Sequence, residues 1–129
     1  MYLQVTQNRK FILPILYLIF LAGGSLTPIP VKTEIISGGD KAIHLILYIP
    51  LGYLLSFSKI SSLFLLNFSI PFSLGTLYGG VLELLQNYIP GRSASFYDAL
   101  ANSLGVGIGL ILGQAGGLAN RKRGKLKIL

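Results

Sequence analysis

Four long apolar runs separated by short polar breaks limit what this chain can fold into. They cover residues 11–31, 42–57, 63–88 and 96–118, the last starting near Phe96 or Asp98. A helix needs about 20 apolar residues to cross about 30 Å of hydrocarbon. The sequence therefore predicts an all-α fold, an integral membrane bundle of four transmembrane helices with short loops. Only 12% of the residues are charged and the mean hydropathy is +0.67, which does not suit a soluble surface.

The first and third runs have features of their own. The first follows Arg9 and Lys10, and its small residues at 22–25 resemble a signal-peptide cleavage region. Because its apolar character continues to Val31, we favour a retained helix, with cleavage as the alternative. The third run would be about 39 Å long at helical rise, so it is expected to tilt, to kink at Pro71 or to project beyond the lipid.

The distribution of Lys and Arg predicts how the chain is oriented. Four spans put both termini on one side of the membrane. If that side is the cytoplasm, the cytoplasmic segments hold eight basic residues and the outer segments three, namely Lys32, Lys41 and Arg92. The positive-inside rule favours this arrangement. We predict a cytoplasmic flank at residues 1–10, a transmembrane domain at 11–118 and a basic cytoplasmic tail at 119–129.

Charge and cysteine content exclude several other classes of protein. The net charge of +7 does not predict a nucleic-acid partner, because five of the eleven basic residues lie in the tail that follows the last apolar run. The lipid bilayer is the partner that the sequence predicts. With no cysteine there is no disulfide, no thiol nucleophile and no cysteine-based metal site.

The fourth run carries a regular pattern of glycines. They recur every four residues and therefore line one helix face: Gly105, Gly109, Gly113 and Gly117. Small residues allow helix backbones to approach closely in a membrane. We favour packing within a compact bundle, with a homo-oligomer contact through this face as the alternative.

Polar residues are concentrated at one predicted membrane face. Threading the runs up and down brings eight of them together, and these are the predicted binding residues: Asp40, Lys41, His44, Glu83, Gln86, Arg92, Asp98 and Asn102. The acidic residue Glu34 falls on the same side. Helical spacing stacks Asp40 with His44, Glu83 with Gln86, and Asp98 with Asn102.

An ionisable group at the centre of a membrane helix costs roughly 2.5–3.5 kcal/mol, so it should face the bundle and find a partner. We expect His44 and Glu83 to lie deepest, with Glu83 contacting Lys41, His44 or Arg92. Each residue also has a structural interpretation. Asp40 and Asp98 can serve helix starts, the latter in a capping box with Ser95. Lys41 and Arg92 can anchor helix ends at headgroups, and His44 with Glu83 can be a structural pair.

Two motifs together resemble one family. The segment DKAIHLILYIPLG, which begins at Asp40, is followed by ELLQNYIPGRSASFYDALANSLG, which begins at Glu83, and their order and approximate spacing resemble the VanZ-like proteins. The resemblance covers residues 39–113 and implies a bacterial cell-membrane protein of about four helices, with the eight polar residues on the family pattern. It also implies a possible role in resistance to the glycopeptide teicoplanin.

Three functions remain open on the residues alone. The first is binding of a polar or anionic envelope component, such as a lipid-linked head group, at the outer leaflet, with Arg92 and Lys41 holding phosphate or carboxylate. The second is an enzyme acting on a lipid phosphate or glycan, with His44, Glu83 and Asp98 as catalytic candidates. The third is a structural partner of another membrane protein. We favour the non-enzymatic binder and predict no metal and no cofactor, with His44, Glu83 and Asp98 as an alternative ligand set.

Overall fold

The chain folds into four helices, and the computed structural model describes the backbone of residues 2–28 and 39–126 and the side chains of residues 11–28 and 39–118. The helices are α1 (Tyr2–Leu26), α2 (Gly39–Leu55), α3 (Phe64–Gln86) and α4 (Phe96–Leu126). Within the described residues there is no strand, and the all-α prediction is confirmed. Residues 29–31, together with Lys32 and Glu34, lie outside the described residues.

Two helices are long and apolar enough to cross a membrane: α3, and the Phe96–Leu118 part of α4. The Phe11–Leu26 part of α1 is a shorter apolar helix. Large apolar side chains are exposed on all four helices, for example Ile19, Ile46, Leu77 and Ile111. An apolar surface of this extent on a folded chain is typical of contact with lipid.

The helices extend further than the apolar runs at both ends of the chain. α1 begins at Tyr2 rather than at residue 11, and α4 continues to Leu126 rather than ending at residue 118. Backbone hydrogen bonding does not stop where side chains become polar, because a helix can continue out of the lipid into water. The predicted basic tail is therefore mostly helical in its described backbone.

The most extensive contact in the bundle joins α2 to α4, and glycines make it possible. A Cβ atom added at Gly105 would lie 2.5 Å from the backbone oxygen of Leu45, and one at Gly109 would overlap the backbone oxygen of Ile49. From the other side, a Cβ at Gly52 would overlap the backbone of Val106. The glycines thus allow the two backbones to touch, as the sequence analysis favoured.

The remainder of the glycine face differs along its length. Gly113 lies against Ser56 at the end of α2, whereas a Cβ at Gly117 would meet nothing within 4 Å. Because α2 occupies the face from Gly105 to Gly113, that part is used within the chain. A contact between two copies of the chain stays a prediction, and Gly117 is the member of the pattern that is open to it.

Pro71 lies inside α3, which continues through it as one helix. A proline has no N–H for the backbone oxygen four residues earlier, which here belongs to Asn67. That oxygen instead accepts a hydrogen bond from Nε2 of Gln114 on α4, at 3.1 Å. The proline therefore creates an acceptor that a neighbouring helix uses.

α1 packs on both α2 and α3. The hydroxyl of Tyr17 donates to the backbone oxygen of Leu47 at 2.7 Å, and the hydroxyl of Tyr78 donates to that of Leu18 at 2.5 Å. Leu21 is buried with core residues of α2 and α4. The first run is thus an integral part of the bundle in this structure.

Candidate functional site

Five of the eight predicted residues form one connected group at the end of the bundle where α2 and α4 begin and α3 ends. We call this group the His44 cluster: Asp40, His44, Glu83, Asp98 and Asn102. All but the half-buried Asp40 are buried. A cleft of 1030 Å³ lies at the opposite end of the bundle beside Phe57 and Gly113, so it is separate from the cluster.

His44 is held through one ring nitrogen. Its Nδ1 lies 3.0 Å from Oδ1 of Asn102 and 3.3 Å from Oε1 of Glu83. Both neighbours are acceptors, so the ring proton belongs on Nδ1, and Nε2 of a neutral imidazole keeps its lone pair. The expected contact between His44 and Glu83 is present, and it joins α2 to α3 while Asn102 adds α4.

Glu83 also fixes the start of α4. Its second carboxylate oxygen, Oε2, accepts a hydrogen bond from the backbone N–H of Ser95 at 3.2 Å. Ser95 immediately precedes α4, where backbone N–H groups lack partners within the helix. One buried carboxylate, 3% exposed, thus connects the imidazole of α2 to the first turn of α4.

The capping box predicted for Ser95 and Asp98 forms in only one direction. The hydroxyl of Ser95 accepts from the backbone N–H of Asp98 at 3.3 Å. In a complete capping box, the carboxylate of Asp98 would in turn accept a hydrogen bond from the backbone N–H of Ser95. Here Glu83 accepts that hydrogen bond instead. The carboxylate of Asp98 is therefore not used for capping, although Asp98 is only 5% exposed and its Oδ1 has no hydrogen-bond partner.

Asp40 approaches His44 from the first turn of α2. Asp40, His44 and Asp98 each offer one metal-ligating atom, and the three atoms all lie within 4.8 Å of one another. In the described part of the chain no other three such residues meet this way, so the alternative set with Glu83 in place of Asp40 does not form.

Two further buried polar atoms lie one helical turn away from members of the cluster. Gln86, one turn after Glu83, has a buried Nε2 with no hydrogen-bond partner among the described residues. The hydroxyl of Tyr48, one turn after His44, is likewise buried and without such a partner. An unsatisfied buried polar group costs about 1–3 kcal/mol, so such groups call for a ligand or water.

The two basic residues of the prediction lie outside the cluster. Lys41 is exposed at the start of α2. The guanidinium of Arg92 donates from Nε to the backbone oxygen of Thr27 at 2.9 Å and from Nη2 to that of Gly24 at 2.8 Å. One edge of the Arg92 guanidinium is therefore hydrogen-bonded to the end of α1. This contact was not predicted from the sequence. A ligand contact of Lys41 or Arg92 stays a prediction.

Two hydrogen bonds that shape the site were not predicted from the sequence. The backbone of Ser95 takes part through its N–H, and Oδ1 of Asn87 accepts from the backbone N–H of Ala94 at 2.8 Å across the turn between α3 and α4. Gly91 in this turn has a φ of 79°, a conformation that favours glycine. Pro90 followed by Gly91 is a turn signal in this segment.

Comparison with known proteins bears on the whole bundle. A family model described as VanZ/LLP1 matches residues 5–115, which includes most of α1, all of α2 and α3 and the cluster. Neither a search of curated proteins nor a search of solved structures found a match.

Proposed function

Since the chain belongs to the VanZ/LLP1 family, we propose that this membrane protein crosses the bacterial cell membrane four times, with both termini in the cytoplasm. We also propose that the His44 cluster binds a polar or anionic envelope component at the outer leaflet. A lipid-linked head group is the class of ligand we favour. A link to glycopeptide resistance is part of the proposal and has its support in the family alone.

The four-span arrangement is supported by helix direction and length. At about 1.5 Å per residue the 17 residues of α2 extend about 26 Å, close to the thickness of a hydrocarbon layer. The apolar part of α1, Phe11–Leu26, is of similar length. Alternating helices with exposed apolar faces support a position of the cluster near one membrane surface, and the excess of Lys and Arg in the other segments favours the outer one.

The observation that carries the binding proposal is the combination of a fixed histidine with unused polar atoms. Glu83 and Asn102 orient His44, while Oδ1 of Asp98 offers an acceptor and Nε2 of Gln86 offers a donor. A head group with hydroxyl or amide groups presents both donors and acceptors. Hydrogen bonds to such a ligand would offset the desolvation cost of these buried atoms. If the ligand carried a phosphate or carboxylate, the exposed ammonium of Lys41 would attract it.

One observation favours the enzyme as the second candidate. A carboxylate that accepts from Nδ1–H of a histidine fixes the orientation of the ring and leaves Nε2 for proton transfer, which is the arrangement used by general acids and bases. In that case His44 would act on a lipid phosphate or glycan, and Glu83 would position it.

The two candidates differ in one experiment. Wild type, His44→Gln and Lys59→Gln are purified in nanodiscs and given a polyprenyl diphosphate-linked disaccharide. Binding is measured together with phosphate release, meaning the disaccharide phosphate that is freed when water cleaves the diphosphate. Lys59 is exposed at the opposite end of the bundle and serves as the control. We expect saturable binding by wild type and Lys59→Gln, at least about tenfold weaker binding by His44→Gln, and no phosphate release.

Other outcomes decide against the binder. Phosphate release that His44→Gln abolishes would establish the enzyme in its place. If folded His44→Gln matched wild type in both measurements, both candidates would be discarded and a structural partnership would be the remaining interpretation.

A further inference from the structure

The charges of the His44 cluster do not balance. It contains three carboxylates, those of Asp40, Glu83 and Asp98, and one imidazole. Within residues 11–28 and 39–118 the only contact between a basic side chain and a carboxylate is that of His44 with Glu83, and it is an ion pair only when the imidazole is protonated. Arg92 is directed to α1, so it does not neutralise the group. Uncompensated carboxylates near lipid are costly, and a bound cation offsets that cost.

The geometry of three ligand atoms fits one ion. Metal bonds of about 2.0–2.2 Å place two ligands of the same ion at most about 4.4 Å apart. The ligand atoms of Asp40, His44 and Asp98 lie within 4.8 Å of one another, so small side-chain rotations bring them into range. Asp40 and His44 stand one helical turn apart on α2, and Asp98 faces them from the first turn of α4.

A separate observation points to a ligand at this place. Asp98 is buried, and its carboxylate does not cap α4 because Glu83 accepts the hydrogen bond from Ser95. Among the described residues, Oδ1 of Asp98 has no hydrogen-bond partner. A buried carboxylate oxygen without a donor is an uncommon arrangement unless an ion or water satisfies it. Neither helix capping nor internal hydrogen bonding therefore accounts for the burial of this carboxylate oxygen.

His44 has the orientation of a metal ligand. Metal-binding histidines donate their second ring N–H to a carboxylate or a carbonyl oxygen, which fixes the ring and strengthens the ligand nitrogen. In His44 the Nδ1–H is directed at Glu83 and Asn102, which leaves Nε2 for the ion. The residue that supports the imidazole is thus distinct from the two carboxylates that would share the ion with it.

We propose that Asp40, His44 and Asp98 bind one divalent transition-metal ion, with Glu83 as the residue that orients His44. One imidazole nitrogen and two carboxylate oxygens suit Zn²⁺ or Mn²⁺ better than Mg²⁺ or Ca²⁺, which prefer oxygen alone. Three protein ligands leave coordination positions open. The site stands without the proposed function, because metal binding needs no head group.

The composition of the chain makes the test sharp. His44 is the only histidine and there is no cysteine, so a tight Zn²⁺ site in untagged protein must include His44. Untagged protein in nanodiscs is stripped with a chelator and titrated with Zn²⁺ alone, and bound metal is measured by calorimetry and elemental analysis. We expect one equivalent of Zn²⁺ per chain.

Variants assign the ligands. Asp98→Asn and Asp40→Asn keep the side-chain shape and remove the charge, and each should weaken Zn²⁺ binding at least about 100-fold, whereas Glu83→Gln should weaken it about 10–100-fold as an outer-shell change. Lys59→Gln is the control and should bind like wild type. Circular dichroism checks that each variant keeps its helices.

Two results would contradict the proposal that this site binds a metal ion. Absence of stoichiometric Zn²⁺ and Mn²⁺ from folded wild type would overturn it, as would unchanged affinity in Asp98→Asn and Asp40→Asn. If Asp98→Asn does not fold, Asp40→Asn decides, because Asp40 is only half-buried at the helix start. Loss of head-group binding without loss of Zn²⁺ binding would contradict the proposed function and leave the metal site intact.

Discussion

Arg92 ties two distant parts of the chain together with a single side chain. It reaches from the turn between α3 and α4 to the last turn of α1, where backbone oxygens have no partner within the helix. A positive group at a helix C-terminus also interacts favourably with the helix dipole. The role of Arg92 in this structure is therefore to hold α1 against the rest of the bundle.

Replacing Arg92 should loosen α1. Arg92→Gln loses the charged donors to Thr27 and Gly24, and we expect the unfolding free energy to fall by about 1–2 kcal/mol. Protease digestion in detergent should cut within or after α1 sooner than in wild type. Lys59→Gln, which also removes one exposed positive charge, is the control. Equal digestion rates for Arg92→Gln and wild type would show that the contact does not hold α1.

The sequence predicted which side chains come together in the candidate site, but it did not predict all of the hydrogen bonds that connect them. Helical spacing and alternating threading brought His44, Glu83 and Asn102 together, because each rule depends only on position along the chain. The bond from the N–H of Ser95 to Glu83 could not be foreseen, since every residue has such a donor. The direction of Arg92 was equally open, because a long flexible side chain reaches several partners.

Glycine spacing determines which helices meet. α4 is adjacent in sequence to α3, yet it makes its most extensive contact with α2 through Gly52, Gly105 and Gly109. In lipid, close backbone approach replaces the hydrophobic effect as a source of helix association. The existence of four helices was predictable from apolar runs, whereas their pairing and their polar extensions depend on contacts that hydropathy does not encode.

Adding one methyl group to this contact should separate α2 from α4. Gly109→Ala would overlap the backbone oxygen of Ile49, and we expect a loss of about 1–3 kcal/mol in unfolding free energy. Gly116→Ala is the matched control, because a Cβ there meets nothing within 4 Å. Thermal unfolding in detergent should separate the two variants. Equal stability would mean that α2 and α4 do not approach as closely as described.

The bundle as a whole has two different ends. One carries the buried His44 cluster and the turn with Arg92, and the other carries the 1030 Å³ cleft and the loop between α2 and α3. Which end faces outward follows from the charge distribution along the full sequence rather than from the bundle itself.

Cysteine labelling checks this orientation. The chain has no native cysteine, so a cysteine at Ser93, exposed in the turn between α3 and α4, should be the only reactive thiol. On intact cells we expect Ser93→Cys to react with an impermeant thiol reagent. Ser62→Cys, exposed in the loop between α2 and α3, should react only after the cells are opened. The reverse pattern would invert the topology.

The contact between α2 and α4 also bears on how the protein is made. α2 and α3 precede α4 in the chain, so His44 and Glu83 leave the ribosome before their partners Asn102 and Ser95. Until α4 docks, these polar groups lie on a helical hairpin without their final partners. A chain that stops before Phe96 therefore lacks the helix that covers His44 and Glu83 in the finished bundle.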